Sequence, residues 1–330
     1  MVKDKPILGH GLSAFRDVYN YYRRTDYKLP DDLQDGITPE AAHMEYFNIW
    51  ATQGTLGLAA FIAMLAAVFV FAHRFMKEEK DPAVRVTLVS LVTGCVVYLV
   101  QIMFSFTVIA TGFLFFTFTG LIFGKYLTCT KALPGSLRMP GALVAIMLLG
   151  CGLFYSVTTL TAEFQFKQAQ VFASKREYTQ AVESYKQAVQ MVPYNNEYIE
   201  TYADFIFNLG IMMPQSAQAD YLIDAVKLYD KALLINSNFP SVHANKALAV
   251  SRLADLNINS PDKFENYKIT ALFEMQKAVE IGKNNPLYLY KYGQMLLFFD
   301  DKAAAKGQFE KVLQLRNPYK DTQDLLTQTL

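Results

Sequence analysis

Three stretches of this 330-residue chain contain no Asp, Glu, Lys or Arg: residues 46–72, 86–124 and 139–162, which are 27, 39 and 24 residues long. Crossing about 30 Å of hydrocarbon takes roughly 20 helical residues. The first and third stretches therefore predict one transmembrane helix each, and the middle one predicts two. The middle break is expected within residues 101–107, where Gln101, Ser105 and Thr107 interrupt the apolar run and offer side chains to backbone groups at a tight turn. A cleaved signal peptide is not expected, because the first apolar run starts late and lacks a small-residue processing site.

The charge follows the same division. Residues 1–158 hold 13 Lys and Arg with 11 Asp and Glu, and residues 159–330 hold 18 with 19. A net charge of +1 spread this evenly excludes a generally basic nucleic-acid binder, because phosphate contacts need a local surplus of cations. Cys95, Cys129 and Cys151 all fall in the apolar half without nearby His, so neither a disulfide framework nor a zinc site is expected.

Short loops set orientation through their Lys and Arg. Arg74, Lys77, Lys80 and Arg85 follow the first apolar stretch, and Lys125, Lys131 and Arg138 follow the second, so both loops are expected in the cytoplasm. The first 45 residues and everything after residue 162 are then expected outside the inner (cytoplasmic) membrane of a bacterium. The N-terminal tail opposes this with six cations (Lys3, Lys5, Arg16, Arg23, Arg24 and Lys28), tempered by eight acids. The simplest resolution is that the chain is the C-terminal part of a longer membrane protein.

From residue 162 the pattern changes to paired helices with a repeat. The first unit has Phe172, Ala181, Tyr185, Ala188 and Pro193 at the aromatic and small positions of a 34-residue helix pair. Later units carry Ala203, Ala225, Tyr229 and Ala232; then Ala247, Ala271, Met275 and Ala278; then Gly293, Ala305 and Phe309. With insertions around residues 210–219 and 256–267, the units start at 162, 196, 240 and 286, and residues 320–330 begin a closing helix. These positions resemble the tetratricopeptide repeat family, which implies an α-solenoid that binds a protein partner. The aromatic stripe reads as repeat core. The expected fold is all-α, with an outer loop over residues 1–45, a four-helix polytopic membrane region over residues 46–160 and a tetratricopeptide-repeat α-solenoid over residues 161–330.

The stretch with chemical content precedes the first span. Pro6, Gly9 and Gly11 mark a tight backbone approach, and Phe15, Tyr19 and Tyr22 recur at helical spacing. His43, Tyr46, Phe47 and Trp50 lie where aromatic rings favour the membrane–water boundary. Pro6, Gly9, Gly11 and Phe15, taken with His43, Tyr46, Trp50, Gln53, Gly54, Gly57 and Leu58, resemble the C-terminal signature of the O-antigen ligase family over about residues 5–125.

The resemblance implies a glycosyltransferase that moves an oligosaccharide from a polyprenyl diphosphate carrier to an acceptor outside the membrane. No cofactor, metal or nucleotide sugar is implied, since the leaving group is already a diphosphate that cations can stabilise. His43 would orient or deprotonate the acceptor hydroxyl, and Arg16, Arg23 and Arg24 would meet the diphosphate. Solvated loop charge is the competing account of the arginines. Met44 replaces the family's usual Asn, Gln53 replaces its usual Glu, and the family's upstream Arg and earlier spans have no counterpart here. The alternative is a membrane-anchored repeat scaffold without catalysis; a soluble repeat protein is excluded by the three uncharged stretches.

Overall fold

The computed structural model describes residues 1–11, 14–23, 39, 41–105, 107–128 and 135–329, and among them every regular element is a helix. They divide into two compact units, one of residues 1–19 and 38–143, the other of residues 20–37 and 144–330.

In the first unit, α2 (Glu45–Glu78), α3 (Pro82–Gln101) and α4 (Ile109–Thr128) pack together. The start of α3 is encoded locally: Pro82 takes the first turn, where its missing N–H costs nothing, and the Asp81 carboxylate accepts from Ala83 N at 2.9 Å. The three helices share a small core of Val68, Ala72, Cys95, Tyr98, Ile102, Phe115 and Ile122. Tyr98 stacks on Phe115 with ring centroids 4.4 Å apart. Large apolar side chains such as Val86, Val97, Phe113 and Leu121 point outward and are exposed, an arrangement that water would penalise and lipid would not.

The break between the middle helices falls at residues 102–108, as the polar interruption predicts. Its backbone is satisfied from an unexpected source. Thr107 N donates to Glu45 Oε2 at 3.0 Å, and Glu45 N donates to Ile102 O at 3.0 Å, so the start of α2 closes the turn between α3 and α4. Helices α2 and α3, and residues Ala142–Ser174 of α5 (Gly135–Ser174), have the length and apolarity to cross a membrane. The fourth apolar segment, Ala110–Gly124 within α4, is shorter.

The second unit stacks antiparallel helix pairs. The end of α5 pairs with α6 (Tyr178–Met191), α7 (Asn196–Met212) with α8 (Gln215–Ile235), α9 (Pro240–Leu256) with α10 (Pro261–Ile281), and α11 (Pro286–Phe298) with α12 (Lys302–Leu315); α13 (Thr322–Thr327) closes the series. Asn195 and Asn285 cap α7 and α11 through their side chains, and Pro240, Pro261 and Pro286 open their helices. Starts at 196, 240 and 286 fall on the repeat register. The first pair has no start at 162, because α5 runs through that point unbroken.

The two insertions are built as helix rather than loop. Helices α8 and α10 are 21 residues long, against 14 for α6 and α12. Ala181, Ala188, Ala203, Ala225, Ala232, Ala247, Ala271, Ala278 and Ala305 are fully buried, which lets backbones approach closely, and Tyr185, Tyr229, Met275 and Phe309 fill the space between. Phe172 is only half-buried. Its expected core place is taken by Phe166, which stacks on Tyr198 at 4.6 Å and meets Tyr185 edge-on at 5.8 Å.

Candidate functional site

The two halves of the ligase-like signature meet in the first unit. Gly54 adopts φ 69° and ψ −169°, a combination open essentially to glycine, and breaks α2 into two helices. At this break the 6–11 segment exchanges hydrogen bonds with the helix. His10 N donates to Ala51 O at 3.1 Å and Gly11 N to Thr52 O at 2.8 Å, while Thr55 N donates to Pro6 O at 2.8 Å and Leu56 N to Ile7 O at 3.2 Å. In a straight helix Ala51 O and Thr52 O would accept from Thr55 N and Leu56 N. All four groups freed by the kink are therefore paired with the docked segment.

Gly9, also at φ 69°, has no room for a side chain. A Cβ there would lie 2.5 Å from Gly54 N, and one on Gly54 would lie 2.2 Å from Ile7 O. The side chains on this turn add to the tie: Thr55 Oγ1 donates to Pro6 O at 2.8 Å, and Trp50 Nε1 donates to Thr55 Oγ1 at 3.2 Å.

Beside the kink a groove of about 430 Å³ is lined by Glu45, Ile49, Gln53, Gly57, Tyr98 and Thr107, among others. Its polar end holds the Tyr98 hydroxyl 2.8 Å from Thr107 Oγ1, and the Glu45 carboxylate that closes the neighbouring turn. Asn48 Oδ1, nearby on α2, is buried with no hydrogen-bond partner among the described residues. Sequence reasoning passed over Glu45, although an acid two residues beyond His43 at the start of an apolar helix is a signal in itself, since carboxylates favour helix N-termini.

The expected site residues are divided between the two units. His43 is exposed on the bend that leads into α2, and Arg16 is half-buried on α1 (Phe15–Tyr22); both lie in the first unit. Arg23 belongs to the second unit and is only 9% exposed. Arg24 lies outside the described residues.

The second unit carries its own polar constellation, on the first helices of successive pairs. Asp204 Oδ1 on α7 accepts from the Tyr229 hydroxyl at 2.6 Å and from Asn245 Nδ2 of α9 at 3.0 Å, and Lys291 Nζ of α11 donates to Asn245 Oδ1 at 3.4 Å. Burial pushes the Asp204 carboxyl above its ordinary value despite these donors, and burial pushes Lys291 below its own despite the attraction of Asp204. A second network joins α8, α9 and α10. Glu274 accepts from Lys246 Nζ at 2.5 Å and lies 2.6 Å from His243 Nδ1, Lys246 reaches Asp230 at 2.7 Å, and His243 Nε2 faces Ser237 O at 3.0 Å. Burial opposes ionisation of Glu274, but the His243 and Lys246 contacts outweigh it and hold the carboxyl below its ordinary value. A cavity of about 840 Å³ opens between α6, α7 and α8, lined by Val182, Tyr202, Ile206 and Leu228 together with the charged Glu183, Asp224 and Lys227, among others.

No described protein family's sequence profile matches the chain, and no curated protein does. Among solved structures it is similar to a TPR protein from Thermus thermophilus, at 15% identity and a TM-score of 0.42 over 56% of this chain and 95% of that one. It is also similar to MamA (15%, 0.38, 51% and 80%) and to PilF of Pseudomonas aeruginosa (14%, 0.36, 58% and 89%).

Proposed function

We propose that the chain is a membrane-anchored repeat scaffold whose solenoid binds a protein partner. The observation that carries this reading is the polar ladder from Asp204 through Asn245 to Lys291, which crosses three successive helix pairs and displays hydrogen-bonding groups at regular intervals. Such a surface recognises a peptide. The Lys and Arg of the short loops support an anchor in a bacterial inner membrane with the repeats outside the cytoplasm. Chemical labelling of Lys175 or Lys268 from the cytosolic side would refute that topology. In a strain lacking the chain, a version with α2, α3 and α4 exchanged for unrelated membrane helices is expected to restore function, and so is His43→Ala.

A second reading is supported by the exchange at Gly54, which joins the two segments named by the resemblance to O-antigen ligases. In it the chain is the C-terminal portion of a glycan transferase, and further spans complete a cavity for a polyprenyl diphosphate-linked glycan. His43, at the outer end of α2, then deprotonates the acceptor hydroxyl, and Arg16 of the same unit meets the diphosphate. This reading expects both replacements above to fail, with His43→Ala abolishing glycan transfer while the protein level is unchanged.

A further inference from the structure

We infer that the face formed by α7, α10 and α11 is a recognition site for a helix end carrying an aromatic residue two positions before an arginine, and that residues 20–23 of this chain occupy it as a resident ligand. A partner of the same chemistry must displace them. The inference rests on the scaffold reading and gives its solenoid a ligand class.

Four observations converge. Residues 20–23 belong to the repeat unit although they lie more than a hundred residues before it in the chain. Within them Asn20 is 1% and Arg23 9% exposed, a depth at which a guanidinium needs compensating groups. Helix α1 ends at Tyr22, so the next carbonyls need outside donors; Asn284 Nδ2, in the turn between α10 and α11, donates to Arg23 O at 2.7 Å. The buried Tyr288 of α11 lies in the fields of both Arg23 and Glu200 of α7, and Glu200 is itself held by the Ser241 hydroxyl at 2.6 Å. Tyr21 lines a cavity of about 560 Å³ with Phe273, Lys277 and Glu280 of α10.

These contacts specify their guest. Asn284 reads a terminal carbonyl, the Glu200 and Tyr288 region takes a planar cation, and the Phe273 cavity takes a ring. Asn284 is not the cap of α11, a task that falls to Asn285, so Asn284 is free of that structural duty and its substitution leaves the helix start intact.

The test measures binding of a fluorescent peptide with the sequence of residues 14–25 to the full chain in detergent. A resident ligand lowers apparent affinity by the fraction of time the site is filled. The Arg23→Ala chain is therefore expected to bind the peptide at least about tenfold more tightly than the unmodified chain. Adding Asn284→Ala or Glu200→Gln to Arg23→Ala is expected to abolish binding, with the thermal melt of the repeats unchanged. Trypsin cleavage after Arg23 should also be faster in Asn284→Ala than in the unmodified chain. Equal peptide affinity for the unmodified and Arg23→Ala chains, or binding to neither, overturns the inference. Failure of the anchor-exchange experiment with this result intact would sink the scaffold reading alone.

Discussion

Replacing Gly54 by Ala should uncouple the 6–11 segment from α2. The added Cβ would lie 2.2 Å from Ile7 O and 2.4 Å from Ile7 C, both backbone atoms that cannot swing aside. Holding Ala at φ 69° and ψ −169° costs on the order of 1–3 kcal/mol even without the clash. The alternative is for α2 to straighten. Thr55 N and Leu56 N then recover Ala51 O and Thr52 O within the helix, while all four bonds to the segment are lost. The net loss is two backbone hydrogen bonds at about 1 kcal/mol each. A cost of about 2 kcal/mol is roughly a thirtyfold change in the docked fraction. Hydrogen exchange at the amides of His10 and Gly11 should accelerate by about that factor. Gly120→Ala is the control, since nothing lies within 4 Å of a Cβ there. Unchanged protection of His10 and Gly11 in Gly54→Ala would refute the exchange of hydrogen bonds as the reason for the kink.

Other expectations concern the repeats. Gly293→Ala drives a methyl to 2.5 Å from the Phe309 ring and should lower stability by about 1–3 kcal/mol, read by denaturant unfolding. The Asp204 carboxyl is held above its ordinary 3.8 by burial, so its contribution favours the fold below that pH and is lost as pH rises through the folded value. Asp204→Asn should remove this slope, leaving the variant's melting temperature flatter than the parent's between acid and neutral pH. Glu274 has the opposite sign: held below its ordinary 4.5, it adds stability above that pH which is lost as pH falls through the folded value. Glu274→Ala should cost about 3 kcal/mol near neutrality, because Lys246 is left with Asp230 alone among the two acids it reaches. A neutral-pH melt identical to the parent's would contradict this.

The helix pairs were legible because their signals are local. Ala at close-packed positions and Pro or Asn at helix starts place α7, α9 and α11 on the expected residues. The insertions were located without their structure, because Pro214 and Pro261 mark turns without saying how far the following helix extends beyond its partner. Phe166 and Phe172 are six residues apart on one helix, and only the direction of packing decides which is buried. At the signature, Gly9 and Gly54 were visible as glycines, but their juxtaposition across more than forty residues is a tertiary fact that no local pattern carries. The same holds for Glu45 closing the α3–α4 turn and for Arg23, whose carbonyl is held by Asn284, more than two hundred residues further along the chain.

Alanine-lined helices slide easily, since one small smooth surface fits another almost as well after a shift of one turn, about 5.4 Å. The carboxylate of Glu274 removes that freedom where α8, α9 and α10 meet. Two side chains of α9 grip it, and one of them reaches on to α8 through Asp230. A slip by a turn would strand Glu274, Lys246 and His243 away from water at once. The apolar contacts thus hold these helices together, while the charged cluster acts as a key that admits a single alignment and fixes the pitch of the middle of the solenoid.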